Sequence, residues 1–127
     1  MSTVVVKSVD EGAVRRAMDA YAASLLERFP QIDEIVVFGS FERGTWVPGS
    51  DLDVFVLLTS DARPVHERVA DLLPGAFPVG IDLFPLTRAE VEARRPSALL
   101  DAIDTSRWRY GRAARRDAGA SPAPRSG

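Results

Sequence analysis

The spacing of apolar and polar positions divides the chain into short segments. Val14, Met18, Tyr21, Ala22 and Leu25 recur at the three-and-four interval of one helical face, which predicts a helix over residues 10–28. Ser8-Val9-Asp10-Glu11 ahead of it has the capping-box pattern, and Pro30 ends it. Residues 34–38 are a β-branched run that stops at Gly39-Ser40 and reads as a buried strand. A Gly/Pro-rich loop over 44–50 leads into a second buried strand over 52–59. Residues 64–73 place Val65, Val69, Leu72 and Leu73 on one helical stripe, closed by Pro74-Gly75. A third strand over 79–85, short helices around 87–94 and 97–103, and an edge strand over 107–110 complete the series.

This order predicts an α/β (α+β) fold, a mixed β-sheet with helices packed against it. The step from Phe38 to Leu52 is too short to hold a crossover helix, so those two strands pair antiparallel or within a mixed sheet. Residues 1–112 read as one domain. Residues 113–127 contain no aliphatic side chain larger than alanine, so a disordered tail is expected there.

Composition narrows the chemistry. The chain has no cysteine, which removes disulfide scaffolds, thiol nucleophiles and zinc–thiolate sites. The single histidine, His66, has no serine partner arranged around it and reads as a surface residue. The longest apolar runs, 35–38 and 54–58, fall far short of the roughly 18 residues of a membrane span, and the N-terminus lacks a secretory pattern, so no membrane association and a cytoplasmic location are expected. The net charge of −2 hides an asymmetry. From Ser106 onward six arginines face one acid, Asp117, while the rest of the chain is acidic. With basic charge confined to the tail, nucleic acid is not expected as a direct substrate.

Three features carry candidate chemistry. Gly39-Ser40 stands where a buried strand ends, and such a turn can offer backbone amides and a hydroxyl to phosphate oxygens. Asp51 and Asp53 lie two apart at the start of a strand and so project together. Paired carboxylates repel, and a divalent cation such as Mg2+ or Mn2+ relieves the cost. Asp82 is a lone acid inside an otherwise apolar strand.

Gly39-Ser40, ten residues, then Asp51-Leu52-Asp53 resembles the G-S-x10-D-x-D signature of the polymerase-beta-type nucleotidyltransferase superfamily, and Asp82 resembles its third carboxylate. Arg43-Gly44 and Gly49-Ser50 resemble the loop between the family's serine and first aspartate. Over residues 10–110 the chain looks like a minimal nucleotidyltransferase, the class often found as the antitoxin beside a HEPN ribonuclease toxin.

The resemblance implies that Gly39, Ser40, Arg43 and Ser50 bind the nucleotide. Asp51, Asp53 and Asp82 would hold two Mg2+ ions and carry catalysis, with ATP as substrate. It implies transfer of AMP to a hydroxyl, a tyrosine, of a HEPN-type toxin partner in a type VII-like toxin–antitoxin pair. Few residues follow the last predicted helix, so the acceptor is expected to be presented by another protein, docking on an apolar patch that includes Trp46. Two alternatives stand beside this: an antitoxin that neutralises by binding alone, and an aminoglycoside-type small-molecule transferase that acts as a dimer. A homo-oligomer is compatible with each.

Overall fold

The computed structural model describes residues 9–111. The expected capping role of Ser8 and the expected disorder of 113–127 lie outside them. The elements are α1 (Glu11–Arg28), β1 (Ile32–Phe38), α2 (Ser40–Arg43), β2 (Leu52–Leu58), α3 (Val65–Leu72), β3 (Ile81–Thr87), α4 (Arg88–Arg94), α5 (Ala98–Thr105) and β4 (Trp108–Gly111). Helix α1 is capped by Asp10, whose carboxylate accepts from the Ala13 amide at 3.1 Å.

The four strands form one sheet in the order β3-β2-β1-β4. β1 pairs antiparallel with both β2 and β4, and β2 pairs parallel with β3, so the sheet is mixed as the short β1–β2 connection requires. Alternation along the strands splits the core in two. Ile35, Val37, Leu52, Val54, Val56 and Leu58 face α1, where Val14, Met18, Ala22 and Leu25 are fully buried. Val36, Phe38, Phe55 and Leu86 face α4 and α5, against Val91, Leu100 and Ile103. A sheet covered on both faces is why β1 and β2 are apolar at nearly every position.

Two expectations need correction. On α3 only part of the anticipated apolar stripe, Leu72 with Val69 half-buried, faces inward. Val65 is 36% and Leu73 54% exposed, whereas Leu72 and Arg68 are buried. Arg68 is tolerated because it donates to the carbonyls of Asp61, Arg63 and Pro85 and to the Glu90 carboxylate. β3 starts and ends two residues later than expected, running through Pro85. As the sheet's edge strand it can accept a proline, because the Pro85 carbonyl points off the sheet to Arg68 and the missing N–H lies on that outer side. His66 is exposed, as expected.

Candidate functional site

The acidic residues meet at one edge of the sheet. β1 ends there, β2 begins there, and β3 runs parallel to β2 from the same edge. Phe38 is the register partner of Asp53, and Asp53 is in turn the partner of Asp82. Cross-strand partners share a face, so Asp53 and Asp82 stand on the α4/α5 face, one row beyond Phe55 and Phe84. Phe38 and Phe84 pack edge to face at 5.4 Å, giving the carboxylates an aromatic neighbour on the inner side. Asp51 and Asp82 are exposed and Asp53 is half-buried.

That setting acts on Asp53. Burial pushes its carboxyl above the ordinary carboxylate range, and the negative charges of Asp82 and Asp51 push it further the same way. The Arg43 guanidinium opposes them. Asp53 therefore senses the other two acids and Arg43 electrostatically. The Asp53 carboxylate lies beside Gly39 and the Asp51 carboxylate beside Gly80, and among the described residues no three acidic side chains already form a metal-binding group.

The phosphate-binding candidates begin at a backbone kink. Gly39 has φ 82° and ψ −151°, a conformation open essentially to glycine alone. A Cβ there would also stand 2.3 Å from Asp53 Oδ2. The kink starts α2, a single helical turn not among the elements expected from the sequence. The Arg43 amide donates to the Gly39 carbonyl at 3.0 Å, and no side chain caps the start of this turn. Ser40 is thus its first residue, and Arg43, its last, is exposed. Ser50 is placed differently. Its hydroxyl accepts from the Val47 amide at 2.9 Å, and its own amide donates to the Val47 carbonyl at 2.9 Å, so it closes the loop's turn.

Trp46 is not the core of an exposed apolar patch. It stacks on Phe41 with ring centroids 5.7 Å apart and donates its indole N–H to Glu11, fastening the loop to α1. Val47 beside it is the exposed apolar residue of that loop. A cleft of about 380 Å³ is lined by residues of α1, α2 and the start of β4, and by none of the three acids. Within it Arg15 sits 4.0 Å over the Trp108 ring and Glu11 accepts from the Trp46 indole. The carboxylate edge is open rather than enclosed.

The acids, the kinked glycine and Ser40 are brought to one edge as the sequence spacing anticipated. Gly80 was not anticipated. Its only sequence signal is its position two residues before Asp82, which places it on the same side of the chain.

Comparison with known proteins bears on this arrangement. A structure described as a putative nucleotidyltransferase from Sulfolobus solfataricus is similar at 19% identity and a TM-score of 0.53, covering 67% of this chain and 77% of the other. A toxin–antitoxin with AMP-PNP matches at 19% identity and a TM-score of 0.46, covering 87% of this chain and 80% of the other. A mutant of the toxin–antitoxin MntA-HpeT matches at 18% identity and the same TM-score and coverage. No curated protein sequence matches the chain. No helix among the described residues is long and apolar enough to cross a membrane. The nucleotidyltransferase domain model matches residues 18–98, a span that holds every one of the acids and the glycine–serine kink. The chain therefore belongs to the nucleotidyltransferase domain family, and it is a transferase enzyme with the mixed-sheet fold of the polymerase-beta type.

Proposed function

We propose that the chain transfers AMP from ATP to a hydroxyl of a partner protein, a tyrosine of a HEPN-type ribonuclease toxin, and so acts as the antitoxin of the pair. The observation that carries the transfer is the meeting of Asp51, Asp53 and Asp82 at one sheet edge beside the Gly39–Ser40 kink. The exposure of Asp51 and Asp82 supports an acceptor delivered from outside. The toxin identity rests on the resemblance of the motifs to minimal nucleotidyltransferases.

The residues suit a divalent cation. The donors are carboxylate oxygens, the type preferred by Mg2+ and Mn2+. Asp53 is held against its own ionisation by burial and by two like charges, a cost that a cation relieves. Gly39 and Gly80 leave space in which the Asp53 and Asp51 carboxylates lie. Bound Mg2+ supplies positive charge for the phosphates and for the oxygens of the transferring group.

The amides at the start of α2 and the Ser40 hydroxyl orient the β- and γ-phosphates, and Arg43 adds a positive charge beside them. Asp51, Asp53 and Asp82 would hold the cation, which would offset the negative charge of the nucleotide's phosphates. Asp82, exposed on the outermost strand, takes the proton of the acceptor hydroxyl as its oxygen bonds to the α-phosphorus. The bond from that phosphorus to the bridging oxygen breaks, pyrophosphate departs, and AMP stays on the acceptor. A phosphodiester on a tyrosine beside a ribonuclease site blocks RNA by bulk and by charge.

Incubation with α-labelled ATP, Mg2+ and a candidate HEPN protein tests this. Label is expected on the toxin, lost with chelation and with Asp51→Ala. Neutralisation without label supports inhibition by contact alone, and efficient labelling of an aminoglycoside by the chain alone supports the small-molecule transferase.

A further inference from the structure

We infer that Gly80 is a positioning residue for Asp51: its missing side chain is the space that keeps the Asp51 carboxylate in the row of Asp82, ready to share a cation. This rests on the nucleotidyltransferase reading of the site and deepens it. The Asp51 carboxylate accepts no hydrogen bond among the described residues, so hydrogen bonding does not set its direction. Space does. A Cβ on Gly80 would lie 2.3 Å from Asp51 Oδ1 and 3.2 Å from its Cγ, and the three nearest atoms all belong to the Asp51 side chain. Gly80 is also tied to this corner, because its carbonyl accepts from the Leu52 amide at 2.8 Å, immediately after Asp51.

The side on which the carboxylate rests follows from strand geometry. Residues 80 and 82 are two apart and face the same way. The Asp51 carboxylate therefore fills the position that a side chain at 80 would take, next in line to Asp82. Bulk at 80 expels it from that row and removes one charge from the acid cluster.

Gly80 is not among the glycines with positive φ, so alanine fits its backbone without strain. The only obstacle to a methyl group is the free end of a flexible side chain. Gly111 is the opposite case. A Cβ there would stand 2.7 Å from the Asp33 carbonyl oxygen and 2.9 Å from Glu34 Cα, so its smallness serves the β1–β4 pairing. Gly80 can be substituted at little expense to the fold, and the effect falls on Asp51.

The test is calorimetric titration of the full chain with a non-hydrolysable ATP analogue, with and without Mg2+, together with thermal melting. For Gly80→Ala, metal-free nucleotide binding and the melting temperature are expected to match wild type. The tightening produced by Mg2+ is expected to shrink by about tenfold or more, the scale seen when the support of a metal ligand is disturbed. A second comparison sets Asp51→Ala against Asp51→Ala/Gly80→Ala. With the carboxylate gone there is nothing to displace, so the two are expected to coincide in melting and in binding. A wild-type Mg2+ effect that survives Gly80→Ala overturns the role of Gly80 alone. A further loss from Gly80→Ala in the Asp51→Ala background also overturns it, by assigning the glycine to the backbone. A wild-type chain whose nucleotide binding ignores Mg2+ overturns the cation reading and this inference together.

Discussion

Replacing Gly39 by alanine makes two demands, and the structure separates them. The first is on the backbone. With φ 82° and ψ −151°, a residue carrying a Cβ is forced into a region that costs about 1–3 kcal/mol to occupy. The second is on space, because the new Cβ would lie 2.3 Å from Asp53 Oδ2. A carboxylate at the end of a rotatable bond can swing away, so this second demand is met mainly by displacing Asp53, with a small contribution to stability. The fold should thus lose about 1–3 kcal/mol, which for a domain of this size lowers the melting temperature by roughly 5–20 °C. Transfer should fall to background, because Asp53 has moved. Differential scanning calorimetry of wild type, Gly39→Ala, Asp53→Ala and the double variant divides the two effects. In the Asp53→Ala background the clash is gone, yet the backbone penalty remains, so most of the melting loss should persist. A Gly39→Ala chain that melts with wild type would falsify the strained kink. A melting loss that disappears in the double variant would mean that crowding, and not the backbone, sets the need for glycine.

Asp53→Asn should raise the melting temperature of the metal-free protein at neutral pH while abolishing transfer. Because the folded Asp53 carboxyl is raised above its ordinary value of 3.8, the fold loses stability as pH climbs through the raised value. The gain from Asn should therefore vanish at pH 3, and a melting scan that shows equal gains at pH 3 and pH 7 contradicts it. Ser40→Ala should weaken binding of Mg2+–ATP by about tenfold to a hundredfold, the value of one hydrogen bond to a charged group, and unchanged calorimetric affinity returns Ser40 to an ordinary turn. Arg68→Met should destabilise the fold by about 3 kcal/mol, the low end for a broken buried pair because Glu90 keeps partial access to water; urea unfolding measures it. The Arg68 guanidinium holds the Glu90 carboxyl at about 2, so wild-type stability is present above the ordinary value of 4.5 and is lost as pH falls toward 2. In Arg68→Met that acid limb should flatten.

The acid edge was legible in the sequence because each of its parts leaves a local mark. The Asp51–Asp53 spacing forces a shared side, Asp82 interrupts an apolar run, and Gly39-Ser40 follows a β-branched strand. The burial of Arg68 leaves no such mark. Its partner Glu90 lies 22 residues away and its carbonyl partners come from two segments, the loop carrying Asp61 and Arg63 and strand β3, so apolar periodicity in an eight-residue helix pointed instead to Val65 and Leu73. The end of β3 was misplaced for a related reason. A proline ordinarily stops a strand, and only the sheet order shows that Pro85 sits on the outside, where no ladder bond is lost. Gly80 was hidden because the side chain it lies beside, that of Asp51, belongs to a distant part of the chain.

Arg68 and Pro85 also bear on how copies of this chain meet. An open sheet edge invites strand addition from another molecule, through its unpaired amides and carbonyls. On the outer side of β3, Pro85 has no amide to offer and its carbonyl is already occupied by Arg68 at 3.1 Å. A visiting strand finds neither donor nor acceptor at that step of the ladder, so continuous edge-to-edge growth is interrupted there. On the β3 side, the sheet's apolar strands are thus kept from recruiting another copy through that edge.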